Sequence, residues 1–315
     1  MSVSDEALAT SSVLSSEPSA SIPCGLAQVI LSLATGTTDL DLSAAQLSEL
    51  WSGLHSAAQS VSAWLTTAGV DCAISDLLGE TNFTSPLIGI CDALRVRGHS
   101  MLRASRGRTI RYRARTASKA DEGSHLNAGH THFILVDRAE DVTVARQATH
   151  GEEARAARKE EAEAAEAAEE AGEAEEGAGV RRGGCAVAFR VALEASLSAT
   201  KRVPLVQLVV QGGPATLRSV LAMARRLHPI VLVVDSGGAA GAIAEYVTTG
   251  ALAPAFFEAE PWSRVAAEPV LRMLAAIKAQ HEKMEGALLK FASLGGHEQV
   301  RTEGSPLPSP IHDHP

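Results

Sequence analysis

Glycines close four apolar runs in this 315-residue chain: Gly36 after AQVILSLAT, Gly69 after SAWLTTA, Gly212 and Gly213 after VPLVQLVVQ, and Gly237 and Gly238 after PIVLVVDS. A glycine at such a place allows a sharp turn or a close backbone approach. Where a strand hands over to a helix, the free amides of the first helical turn also attract anions. The repetition points to a phosphate-bearing ligand, beside the plainer reading that glycine makes tight strand-to-helix turns. DSGGAAG, at 235–241, has the form G-G-x-x-G rather than the G-x-G-x-x-G of a dinucleotide fingerprint. His130 and His132 lie two apart, so in a strand they face one side and suit a metal. No carboxylate or cysteine stands at ligand spacing beside them, which favours plain strand-edge histidines. G-x-S-x-G, H-E-x-x-H and the P-loop are absent, so no catalytic residue is assigned.

The elements that must position these turns are legible in the apolar pattern. Runs at 27–36, 62–69, 86–91, 132–137, 203–210 and 229–235 are short and almost unbroken in apolarity, as strands of a parallel sheet covered on both faces are. Helical spacing predicts helices over 42–60, 185–199, 214–226 and 239–248, with a short one over 70–79 closed by Gly79. This alternation predicts an α/β fold: a Rossmann-like, doubly wound, mostly parallel sheet over residues 23–250. Residues 95–115 hold eight arginines with no apolar period and read as a basic loop. Residues 138–184 form an Ala/Glu-rich insertion, either a solvated helix or disordered, and read as a surface excursion without chemistry. Residues 1–22 and 295–315 have the composition of disordered ends, and 251–294 reads as a helical extension.

Charge and composition exclude several classes. The formal charge is −9, and residues 152–176 alone carry −8, eleven Glu against Arg155, Arg158 and Lys159, which leaves the rest at −1. Such a balance argues against a nucleic-acid footprint. Cys24, Cys72, Cys91 and Cys185 form no C-x-x-C pair, so neither a zinc site nor a disulfide framework is expected. The N-terminus lacks the basic region of a secretory signal, and no apolar run is long enough for a membrane span. A cytoplasmic location, with membrane association only as part of a larger assembly, is the expectation.

With the elements in order, the chain resembles the cytosolic N-terminal homology region of melastatin-type transient receptor potential (TRPM) channels, a branch of the SLOG superfamily of Rossmann-like nucleotide-ligand sensors. The resemblance rests on HTHFILVD (130–137), QGGPAT (211–216), VVDSGG (233–238) and SAWLTTAG (62–69), and HTHFILVD is its most specific string. It implies that QGGPAT lies against an ADP-ribose-like adenine nucleotide and that Arg190, in CAVAFRVALE, contacts a phosphate. The implied ligand set is Gly69, Arg190, Gly212, Gly213, Thr216, Gly237 and Gly238. Three departures stand out: Ala239 where the family's D-G-S-G-R loop has its arginine, Gly183 in place of a tyrosine, and TAGVDCAI in place of T-G-G-x-N-x-G-V.

The resemblance implies a non-catalytic ligand-sensing module, part of a channel subunit or a stand-alone relative, and in either case a candidate homo-oligomer. A nucleoside-monophosphate phosphoribohydrolase of the LOG type is the enzymatic alternative. Ser219 stands where its P-G-G-x-G-T-x-x-E motif has the catalytic glutamate, and a hydroxyl cannot supply that carboxylate. A degenerate scaffold that binds no nucleotide is the third reading.

Overall fold

The computed structural model describes residues 12–14, 27–36, 40–72, 78, 85–105, 108–112, 123–136 and 184–294. The acidic insertion, the 295–315 tail and most of the helix expected over 70–79 fall outside these residues.

Seven parallel strands make the main sheet: β2 (Ile30–Thr35), β3 (Trp64–Thr67), β4 (Leu87–Asp92), β6 (His132–Val136), β7 (Leu205–Val210), β8 (Ile230–Val233) and β9 (Leu289–Ala292). Their spatial order is β6-β4-β3-β2-β7-β8-β9. The chain winds outward from β2 in one direction and from β7 in the other, which makes the β2/β7 boundary the topological switch point. A separate two-stranded sheet pairs β1 (Ser12–Leu14) with β5 (Ile110–Tyr112) in antiparallel register.

The helices follow from local signals. α1 (Ala44–Ser60) opens on a capping box, in which the Ser43 side chain accepts from Gln46 N and the Gln46 side chain accepts from Ser43 N. α2 (His99–Ala104) is short, and α3 (Gly184–Lys201) returns the chain from β6 to β7. α4 (Pro214–Arg225) starts with proline at its first position, where the missing N–H has no helical partner in any case. α5 (Gly238–Thr249) and α6 (Ala267–Lys283) follow.

Alternation along β2 decides which core each residue joins. Ile30 and Ala34 pack with Val191 of α3, Leu217 and Val220 of α4, Ile243 of α5 and Ile277 of α6, whereas Leu33 packs with Leu65, Leu87 and the α1 residues Leu54 and Ala58.

Three expectations are corrected. The arginine-rich stretch is not a plain loop: it contains a 3-10 turn at Ala93–Arg95, then α2, then β5. Tyr112 explains the ordering, because its ring is buried and its hydroxyl donates to Arg97 O and accepts from Leu126 N. Part of the N-terminal stretch expected to be disordered, Ser12–Leu14, is a strand, since β5 offers it an edge. The stretch read as helical extension carries β9, which pairs parallel with β8 and extends the sheet past residue 250.

Candidate functional site

The carboxyl ends of β2, β7 and β8 bring most of the glycine turns together. Gln211 and Gly212 leave β7 with left-handed backbone, at φ +54° and +87°. A Cβ on Gly212 would stand 2.6 Å from the Thr216 side chain, and one on Gly213 would stand 3.2 Å from Pro261 Cγ. Beside them, a Cβ on Gly238 would collide with the Gly212 carbonyl oxygen. Two hydrogen bonds join the loops: Ala239 N donates to Gly212 O and Ala240 N to Gln211 O, each at 3.0 Å. The backbone that Gly212 and Gly238 admit is therefore that of the neighbouring turn.

These bonds decide which helix start stays open. The first-turn amides of α5 at Ala239 and Ala240 are occupied by carbonyls. In α4, by contrast, the amides of Ala215 and Thr216 make no hydrogen bond to the described residues. Ala215 is exposed at the switch point. Thr216 is buried; its hydroxyl donates to Thr35 O and accepts from Gly213 N, both at 3.3 Å, so it clips the end of β2 to the start of α4. Ser236 plays a similar part for β7 and β8, accepting from Gln211 N at 2.6 Å and donating to Val233 O.

Arg190, in α3, lies deeper, 8% exposed. The β2–β3 ladder stops at Ser32↔Thr66, while β2–β7 pairing continues to Thr35↔Val210. Carbonyls left by the diverging strands need donors, and Arg190 supplies them: Nη2 reaches Leu33 O (2.9 Å), Thr66 O (3.0 Å) and Ser32 Oγ (2.9 Å). Its Nε donates to Glu194 Oε1 at 2.8 Å, and that carboxylate, 0% exposed, also accepts from Thr66 Oγ1. Nη1 makes no hydrogen bond to the described residues.

Gly69 stands at the end of β3, turned toward β4 and β6. Its missing side chain makes room for Gly89, whose Cα would be 2.7 Å from a Gly69 Cβ, and Gly69 O accepts from Asn127 N. Next to it, Thr67 Oγ1 accepts from Gly69 N and lies 2.6 Å from His130 Nε2, while His130 Nδ1 is 3.3 Å from Asn127 O. One tautomer satisfies all of these contacts: Nδ1–H donates to Asn127 O, and Nε2 accepts from the Thr67 hydroxyl. Burial pushes the His130 pKa down to about 4; the Asn127 bond opposes the shift and the Arg190 charge adds to it.

The loops at Gly212, Gly213, Thr216, Gly237 and Gly238 thus form one constellation, Gly69 belongs to a second beside β4, and Arg190 sits under the strand ends with contacts to β2 and β3. The two histidines part company, since His130 is buried before the strand and His132 opens β6 with Nδ1 on Thr131 Oγ1. No group of three or more His, Cys, Asp or Glu suited to a metal occurs among the described residues. Ala239 is 0% exposed, so an arginine placed there would enter the core rather than reach a ligand. Glu194, Thr66 and Thr67 are the residues that motif reading passed over. Thr66 and Thr67 lie within SAWLTTAG and Glu194 ends CAVAFRVALE as the i+4 neighbour of Arg190, but neither string marks them as site residues.

The sequence profile of the protein family described as SLOG in TRPM matches residues 19–255. No curated protein matches the chain. No described helix is long and apolar enough to cross a membrane.

Proposed function

The chain belongs to the family described as SLOG in TRPM, and on that footing we propose that it is a non-catalytic cytosolic module that senses a nucleotide-like phosphate ester, as part of a channel subunit or as a stand-alone relative. The observation that carries this reading is the pair of amides at Ala215 and Thr216, which have no acceptor among the described residues, at the start of a 12-residue helix beside the switch point. The positive end of the helix dipole and two convergent N–H donors suit a phosphate. Arg190 adds a cation below the same edge through Nη1, and an adenine nucleotide or ADP-ribose is the ligand class this donor set and the family favour. Ser219 supports the non-catalytic reading: it is 6% exposed and its Oγ accepts from Gln207 Nε2 at 2.9 Å, away from the open edge.

A second reading, the scaffold that binds no nucleotide and assembles with partner subunits, is favoured by the occupied α5 amides and the locked Arg190. Calorimetric titration of ADP-ribose, ATP and inorganic phosphate separates the two. We expect binding by the wild type and its loss in Ala215→Asp, whose carboxylate takes the anion's place while a first-turn acid keeps or raises helix stability. An absence of heat with all three compounds in the wild type selects the scaffold. Unchanged affinity in Ala215→Asp places the site elsewhere.

A further inference from the structure

Two neighbouring helices end on one edge of the sheet. α3 leads from β6 to β7 and α4 from β7 to β8, and these strands are parallel, so both helices finish at the amino-terminal edge. The helices pack against each other, with axes about 8–10 Å apart. Residues 195–234, which include both ends, hold five cations and no acid, in a chain whose formal charge is −9. Lys201, Arg202 and Arg225 are exposed and make no ion pair with the described residues. Arg226 and His228 follow at the end of α4, half-buried. α6 ends at the same edge without adding net charge, since Glu282 is held by Lys278 at 3.0 Å and Lys283 is offset by Glu285.

A helix C-terminus attracts cations in any case. That accounts for Lys201 and Arg225 but not for Leu227, which is 42% exposed and left-handed at φ +58°. Arg202 follows α3 in the same conformation, at φ +54°. Glycine is the usual occupant of such a turn, and here an arginine and a leucine side chain leave the surface instead. An apolar side chain held out among cations suits a bilayer interface, where anionic headgroups meet the charges and the acyl boundary takes the leucine. An acidic polypeptide would need only the charges. We propose that this edge docks on an anionic membrane surface through Lys201, Arg202, Arg225 and Leu227. It lies at the far end of α4 from Ala215, roughly 18 Å along 12 residues. The proposal therefore does not rest on the ligand site, which a docked domain keeps turned toward solution.

The test is flotation of the full chain with vesicles of phosphatidylcholine alone and of phosphatidylcholine with about 30% phosphatidylserine, whose surface attracts cations. Binding should require the anionic lipid and fall steeply as salt rises to about 0.5 M. Lys201→Gln/Arg202→Gln/Arg225→Gln should lower the vesicle affinity about a hundredfold, at roughly fivefold per cation. Leu227→Gly is the discriminating variant. Glycine suits the left-handed turn, so urea unfolding should show a fold at least as stable as the wild type, while vesicle affinity drops about fivefold. Equal binding to the two kinds of vesicle overturns the proposal, as does binding to neither. Capture by soluble polyglutamate as tight as by the anionic vesicles, with Leu227→Gly indistinguishable from wild type, also overturns it and makes an acidic protein the partner.

Discussion

Gly69 and Gly89 face each other across β3 and β4 so closely that a Cβ on either would stand 2.7 Å or 2.5 Å from the Cα of the other. Gly69 also has φ +71°. Backbone cannot yield as a flexible side chain does, so Gly69→Ala should destabilise the fold by about 2–4 kcal/mol. Gly250 is the comparison: it has φ +80° and nothing within 4 Å of a built Cβ, and Gly250→Ala should cost only about 1 kcal/mol. Urea unfolding of the two variants measures both, and equal losses would show that the contact with Gly89 contributes nothing.

Arg190 and Glu194 form a buried pair at 2.8 Å. Removing the cation leaves a carboxylate at 0% exposure without its partner, so Arg190→Ala should cost about 3–5 kcal/mol. Arg190→Met combined with Glu194→Leu should cost clearly less, because it removes the stranded carboxylate, while the Leu33 and Thr66 carbonyls lose their donor in both variants. A loss of stability below about 1 kcal/mol in Arg190→Ala would mean that the pair is not structural. Ligand titrations of Arg190→Ala are interpretable only alongside its unfolding curve.

His130 is neutral in the fold, with its pKa lowered to about 4 from an ordinary 6.5. Between these values the unfolded chain binds the proton that the folded chain refuses, so stability rises with pH. The contribution is complete above about pH 6.5 and is lost as the pH falls toward 4, to a total of about 3 kcal/mol. His228 and His281 are shifted in the same direction, so the contribution of His130 is read as the difference in pH slope between wild type and His130→Gln. Denaturant midpoints at pH 7 and pH 4.5 provide it, and parallel slopes would contradict the assignment.

Ala239→Arg tests what the family pattern alone would suggest. The side chain of residue 239 is fully buried and its amide is bonded to Gly212 O. An arginine there overfills the core and buries an unpaired charge, at a loss of about 3 kcal/mol or more. Thermal unfolding should show a lower Tm with no gain in nucleotide affinity by calorimetry. Tighter binding at an unchanged Tm would show that α5 turns this position outward.

The sequence by itself determined the sheet and its sense. Almost unbroken apolar runs such as LVQLVV and IVLV need cover on both faces, which parallel strands with helical crossovers provide. It also placed the glycine turns at strand ends. β9 was not legible, because LKFA is four residues long with Lys290 and Phe291 exposed, as an edge strand permits. What the glycines accommodate was decided by tertiary structure alone: Gly89 for Gly69, the neighbouring turn for Gly212 and Gly238. The role of Arg190 was decided there too. Its partners Ser32 and Leu33 are 158 and 157 residues away in sequence, and they need its donors only because β2 and β3 diverge after Ser32↔Thr66. Hydrophobic periodicity reports which residues avoid water. It carries no record of where two strands part, and that parting decides which buried polar groups must find each other.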